Sequence, residues 1–151
     1  MKRRDYIALA VAGAALLVML DWCIAPSEAQ EQLAVIVNPA NPTTSLSAGD
    51  LHRIYMGDKA SWPNGKHIFL IMAAPGSAER GLFLKTVYKM SEAEYAKYFL
   101  QASFTGAVSA PPKEAASSAE VKQLVAANPA AIGYVKTQDA DDSVKVLLKL
   151  P

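Results

Sequence analysis

Cysteine occurs once and histidine twice in the 151 residues. A single thiol closes no internal disulfide, and so few ligands furnish no structural Cys/His zinc site. An excess of charge of either sign is also missing, with 15 basic residues against 14 acidic ones and a net charge of +1. A broad nucleic-acid surface needs a larger positive excess, so no nucleic-acid partner is expected. Charged residues make up 19% of the chain and hydrophobic ones 52%, which excludes general disorder. No HExxH, Walker A, CxxC, Rossmann or GxSxG pattern is present. No nucleophile stands beside a base at a diagnostic spacing, so no enzyme activity, catalytic residue, metal or cofactor is expected.

Long apolar runs are scarce, with one exception. Residues 6–20, YIALAVAGAALLVML, follow the basic start MKRRD and precede a small-residue stretch ending at Ala29. A basic n-region, an apolar h-region and a small-residue cleavage site make a secretory signal. Cleavage after Ala29 is expected, giving a signal peptide over 1–29 and a domain over 30–151. The alternative is a retained anchor, although the run is shorter than the roughly 20 residues that span a bilayer comfortably. Cleavage would remove Cys23, and a cysteine-free domain suits an oxidising compartment. Trp22 is bulky where a lipoprotein signal carries a small residue. The remaining length suffices for one domain with a modest core.

Strand and helix patterns alternate through that domain. LAVIV at 33–37 reads as a strand buried on both faces, and NPANPTTS at 38–45 as a loop. Ser47 caps a helix with the inward stripe Leu51, Ile54 and Tyr55, and Gly57 stops it. Pro63-Asn64-Gly65 is a turn before a second buried strand, HIFLIM at 67–72. Further helices begin near Ser77, at the Ser91/Glu94 capping box, and at Ser117/Glu120. The segment 108–117 reads as a loop because of its paired prolines, and AIGYV at 131–135 and VKVLLKL at 144–150 as strands. The expected order is β-α-β-α-α-α-β-β. Strands interleaved with amphipathic helices predict a single α/β domain of three layers, with helices on both faces of the sheet. The direction of the last strand is not legible in its pattern.

The strongest local site signal is Pro75-Gly76-Ser77-Ala78-Glu79-Arg80, between a strand and a helix. Gly76 permits unusual torsions or close approach. The first N–H groups of a helix lack intrahelical acceptors and can receive an anion. Ser77 adds a hydroxyl and Arg80 a forked, charged donor. A simpler reading stands beside this one: Ser77 caps its own helix, while Arg80 pairs with Glu79 or faces solvent. Thr43 and Thr44, after the first strand, offer a second rim or form a simple turn. His52 and His67 lack partners at diagnostic spacing and read as structural or exposed. The acidic run Asp139, Asp141 and Asp142 reads as a solvated turn, because a calcium loop needs fuller spacing. Tyrosines and Trp62 do not interleave with a basic patch and read as packing.

Three stretches occur in a telling order: LSAGDLHRIYMGDKASWPNG at 46–65, GSAERGLF at 76–83, and Ala130 followed by AIGYV at 131–135. Together they resemble the phosphate-type periplasmic substrate-binding proteins, over about residues 33–148. The resemblance implies a truncated type II periplasmic binding protein, a periplasmic location, and non-catalytic binding of a small oxyanion such as phosphate or sulfate. It further implies that Gly76, Ser77 and Arg80 hold the anion, with Thr43 and Thr44 as further donors. A membrane permease or another periplasmic protein is the implied partner. Members of that family form two lobes around a cleft, and this chain is about half as long. Where they carry Gly-Thr after the anion-binding serine, this chain has Ala78 and Glu79. An interaction or adaptor module that keeps the fold without the ligand is the alternative.

Overall fold

Local capping chemistry sets the helix boundaries in the computed structural model, which describes residues 32–108 and 110–151. The expected signal segment 1–29 lies outside the described residues. Helices α1 (Ala48–Met56), α2 (Ala78–Phe83), α3 (Glu92–Thr105) and α4 (Ser118–Ala127) start after Ser47, Ser77, Ser91 and Ser117. Each serine hydroxyl accepts a hydrogen bond from the N–H three residues on, satisfying one donor that the first turn leaves over. At α3 the box is complete, because Glu94 also accepts from the Ser91 N–H at 2.7 Å. Gly57 and Gly106 end α1 and α3 in the left-handed conformation that their φ of 89° and 71° requires. A π-helical turn, Leu84–Tyr88, extends α2 and buries Leu84, Val87 and Tyr88.

Strands β1 (Leu33–Val37), β2 (Phe69–Ala73), β3 (Lys113–Ala115), β4 (Ala131–Lys136) and β5 (Lys145–Leu150) form one sheet in the order β3-β2-β4-β1-β5. β2 runs parallel to both β3 and β4. β1 runs antiparallel to both β4 and β5. The carboxyl ends of β2, β3 and β4 therefore share one end of the sheet, and the carboxyl end of β1 lies at the other. β3 corrects the expected loop over 108–117. Only three residues pair there, and two are exposed, so no apolar run announces them. HIFLIM starts as a strand later than expected, because His67 makes only an isolated bridge to Ser61.

Alternation along β1 explains the three layers. Leu33, Val35 and Val37 point into the larger core with Leu51, Ile54, Tyr55, Phe83, Leu84 and Tyr88. Ala34 and Ile36 point the other way, against Val121 and Val125 of α4. Helices thus cover both faces, as the strand patterns predict. Tyr55, Phe83, Tyr88, Tyr95 and Tyr134 interlock, with Phe83 stacked on Tyr134 at 3.8 Å and 6°. Gly133 sits where α4 crosses β4, and a Cβ there would lie 2.8 Å from Val121 Cγ1.

Candidate functional site

At the carboxyl ends of β2 and β3, two helix starts meet around a small hollow. Ala73, Ala74, Ser77 and Glu79 form one side, Ala115 to Ser118 form the other, and Val121 and Tyr134 close it. The cavity is about 50 Å³, more than the roughly 30 Å³ share of one liquid water. Pro75 and Gly76 make the entering turn. The Ser77 N–H returns to the Ala74 carbonyl at 3.2 Å, and Gly76 adopts φ 83°. Proline followed by a positive-φ glycine is the sequence that a type II turn selects. No atom lies within 4 Å of a Cβ placed at Gly76, so conformation and not space favours glycine there.

Ser77 is fully engaged as a cap. Its hydroxyl donates to the Ala74 carbonyl at 2.8 Å and accepts from the Arg80 N–H at 3.2 Å. Tyr134 fixes the end of β2 by accepting from the Ala73 N–H at 3.2 Å. Burial pushes the Tyr134 hydroxyl well above the usual tyrosine range, so it stays protonated and neutral. Ser117 caps α4, and Glu120 accepts from the Ala116 N–H at 2.7 Å. Glu79 lies 3.9 Å from the Lys136 ammonium.

Arg80 is where the structure departs most from expectation. Its side chain is only 5% exposed and pairs neither with Glu79 nor with solvent. Nε donates to both carboxylate oxygens of Glu92 at 3.0 Å, and Nη2 meets Glu92 Oε1 at 2.8 Å. Nη1 donates to the Ala73 carbonyl at 3.1 Å and to Glu114 at 3.2 Å. The guanidinium also lies over the Tyr95 ring, 5.2 Å from its centroid, a favourable cation–π placement. Burial alone would push the Arg80 pKa down, yet hydrogen bonding and charge pairing with Glu92 hold it above the ordinary arginine value. The side chain ties α2, β2, β3 and α3 together, and its charge is already matched by two carboxylates. Sequence periodicity carried a signal for this. Arg80 precedes Phe83, Leu84 and Val87 at helical spacing and so belongs to the buried stripe.

Thr43 and Thr44 are not brought to this hollow, which corrects the expected second rim. They follow β1, and β1 is antiparallel to β4, so its carboxyl end points away from Ser77. The loop is held instead at the start of β4. Asn38 donates to the carbonyls of Val125 and Ala126, and Asn41 donates to that of Pro129. The Thr43 N–H donates to the Asn41 side chain at 2.9 Å, and the Lys145 ammonium donates to the Asn41 carbonyl. His52 bonds through Nδ1 to the Val87 carbonyl at 2.7 Å, and His67 is exposed.

A second feature lies beyond α1. A groove of about 200 Å³ runs between Ile54, Ile68, Phe69, Phe99, Val108 and Pro111. On α3, Leu100 and Phe104 stand 62% and 84% exposed. No group of three or more His, Cys, Asp or Glu side chains is placed to hold a metal among the described residues. No described helix is long and apolar enough to cross a membrane.

No protein-family model and no curated protein matches the chain. Solved structures do. An ABC-type phosphate transport receptor from Vibrio cholerae is 26% identical with a TM-score of 0.61, covering 78% of this chain and 45% of its own. A putative phosphate ABC transporter substrate-binding protein with bound phosphate, from Clostridium perfringens, is 25% identical with a TM-score of 0.63, covering 78% and 44%. PstS from Borrelia burgdorferi shares the fold at 18% identity and a TM-score of 0.61, covering 78% and 46%. The chain spans less than half the length of each of these structures. Over the part that aligns, it is structurally similar to the phosphate-type substrate-binding proteins that its motifs resemble.

Proposed function

We propose that the chain is a non-catalytic recognition domain that holds a small oxyanion, phosphate in first place, in the periplasm. The observation that carries this reading is the convergence of two serine-capped helix starts on one hollow. First-turn N–H groups present partial positive charge without an intrahelical acceptor. The N–H groups of Gly76, Ala78 and Glu79 and the Ser118 hydroxyl and N–H are the donors assigned to the anion, while the Ser77 N–H stays with the Ala74 carbonyl. Arg80 buttresses the helix start that carries the first set, and Thr43 and Thr44 take no part. The similarity to a phosphate receptor and to a phosphate-bound substrate-binding protein supports the choice of anion. A permease or another periplasmic protein is the corresponding partner.

Calorimetric titration of the purified chain with phosphate and with sulfate tests this reading. Binding of phosphate is expected, and Ser118→Ala is expected to weaken it with no change in unfolding temperature. Ser77→Ala removes a helix cap and is expected to cost about 1 kcal/mol of stability. Absence of heat and of competition with both anions overturns the proposal. The alternative, an interaction module that keeps the fold without ligand, is favoured by one specific observation. Leu100 and Phe104 lie four residues apart on α3, hence on one face, and both are exposed. That reading is selected if anions fail while Phe104→Ser abolishes capture of a periplasmic protein by the folded chain.

A further inference from the structure

Three of the four asparagines precede a proline, as Asn38-Pro39, Asn41-Pro42 and Asn128-Pro129, and the fourth precedes a glycine, as Asn64-Gly65. The difference is chemical. Proline has no main-chain N–H, so its nitrogen cannot attack the side-chain amide before it. Glycine carries that N–H and no side chain to crowd it. The first three are also engaged in the fold: Asn38 and Asn41 are buried and donate to carbonyls, and Asn128 accepts from the Ala130 N–H at 2.9 Å. Asn64 stands at a hairpin tip where Pro63, Asn64 and Gly65 are all exposed. The hairpin is closed by the Gly65 N–H on the Trp62 carbonyl and by the Trp62 N–H on the Lys66 carbonyl, each at 2.9 Å. Gly65 takes φ 82°, and no atom lies within 4 Å of a Cβ placed there, the glycine that ends a common hairpin loop. The Lys66 N–H donates to Asn64 Oδ1 at 3.1 Å. It polarises the side-chain carbonyl and stands where negative charge gathers when that carbonyl is attacked.

We propose that Asn64 is a self-modification site, at which the Gly65 nitrogen closes on the Asn64 side chain and converts it to aspartate and isoaspartate. The Gly65 N–H leaves the Trp62 carbonyl, an opening that an exposed loop tip allows at small cost. Solvent base takes its proton, and the nitrogen pair forms a bond to Asn64 Cγ. The Cγ–Nδ2 bond breaks, and the amide nitrogen takes up a proton and departs as ammonia, leaving a cyclic imide. Water then adds to one imide carbonyl. Addition at Cγ breaks the new bond and gives aspartate, and addition at the main-chain carbon breaks the old peptide bond and gives isoaspartate. Nothing is oxidised or reduced, and water is the co-reactant. The aspartate product keeps the main chain and adds a negative charge beside Lys66. The isoaspartate product lengthens the main chain by one methylene, inside the turn that seats Trp62. That indole is 3% exposed and donates to the Ala130 carbonyl at 2.9 Å, and the same hairpin gives Ala60, His67 and Ile68 to the groove beyond α1.

The test incubates the purified, folded chain in mildly alkaline buffer made with heavy-oxygen water, and follows it by peptide mass spectrometry. Trypsin cuts after Lys59 and Lys66, so Asn64 is reported by the peptide 60–66. That peptide is expected to gain the mass of an amide-to-acid exchange with the heavy label, and to split into aspartate and isoaspartate forms. The peptides with Asn38, Asn41 and Asn128 are expected to keep their amides. Gly65→Ala crowds the attacking nitrogen and is expected to lose most of the rate, with circular dichroism as the check on folding. A peptide 60–66 that stays an amide in the folded chain overturns the proposal, whether or not the urea-unfolded chain converts. Conversion of the other three asparagines at a matching rate overturns it too, because the following nitrogen then plays no part. A folded Gly65→Ala protein that converts as fast as the parent has the same consequence. Direct hydrolysis gives aspartate alone, so a parent product without isoaspartate overturns the cyclic route even if the variant does not fold.

Discussion

Replacing Glu92 by alanine strands a buried charge. Arg80 would keep the Ala73 carbonyl and a single contact to Glu114, and would lose its shortest contacts. Removing one partner of a fully buried ion pair costs about 3–5 kcal/mol, because the remaining charge is left without compensation. Two features lower that figure here. Glu92 is 45% exposed, so water already screens part of the attraction, and Glu114 remains on the guanidinium. A loss of about 2 kcal/mol is expected on those grounds. For a folded unit of this size, that corresponds to a fall in Tm of roughly 6–12 °C. Glu114→Ala makes the contrast. It removes one contact from a half-exposed side chain and leaves the fork with Glu92 in place, so a loss below about 1 kcal/mol is expected. Thermal unfolding by circular dichroism of parent and both variants, in one buffer, measures the difference. A Glu92→Ala protein that melts within about 2 °C of the parent, or a Glu114→Ala protein that loses as much, refutes the unequal roles argued from this geometry.

Gly133→Ala places a Cβ 2.8 Å from Val121 Cγ1 and 3.4 Å from Ile71 Cβ. β-branched neighbours on both sides yield poorly, so a loss of about 1–3 kcal/mol in denaturant unfolding is expected. An unchanged midpoint would mean that α4 rides over β4 with slack. Asp141 gives a pH signature. Its hydrogen bonds with Lys122 and Ser143 hold the carboxyl down at about 2, against an ordinary value of 3.8. A depressed folded-state pKa favours the fold above the unfolded value and loses that favour as pH falls through the folded one. Asp141→Asn should therefore flatten the decline in stability between about pH 4 and pH 2, and an identical acid limb in both proteins counts against the contact.

Where structure depends on neighbours in sequence, the residues were sufficient. Four serines each capped a helix as their spacing predicts, and Gly57 and Gly106 ended two of them. The apolar run LAVIV became a strand buried along its whole length. Direction and pairing were not legible, because the choice that sends β1 against β4 is made by contacts about a hundred residues apart. That one choice carried Thr43 and Thr44 to the far end of the sheet. β3 escaped notice for another reason. Lys113 and Glu114 are exposed, and only Ala115 faces the core, so its pairing is a main-chain matter that side-chain patterning does not report.

Arg80 shows how nearness in sequence and the direction of a side chain can differ. Its nearness to Ser77 in sequence suggested a shared ligand, and its charge suggested attraction. Helical geometry decides otherwise. The capping bond leads from the Arg80 N–H back to Ser77, while the side chain leaves on the face of Phe83 and Leu84, toward Tyr95. A guanidinium driven into that apolar layer needs anions of its own. Glu92 at the start of α3 and Glu114 on β3 supply them from 12 and 34 residues away. The same side chain then has a structural task, fixing through the Ala73 carbonyl the strand end that borders the hollow.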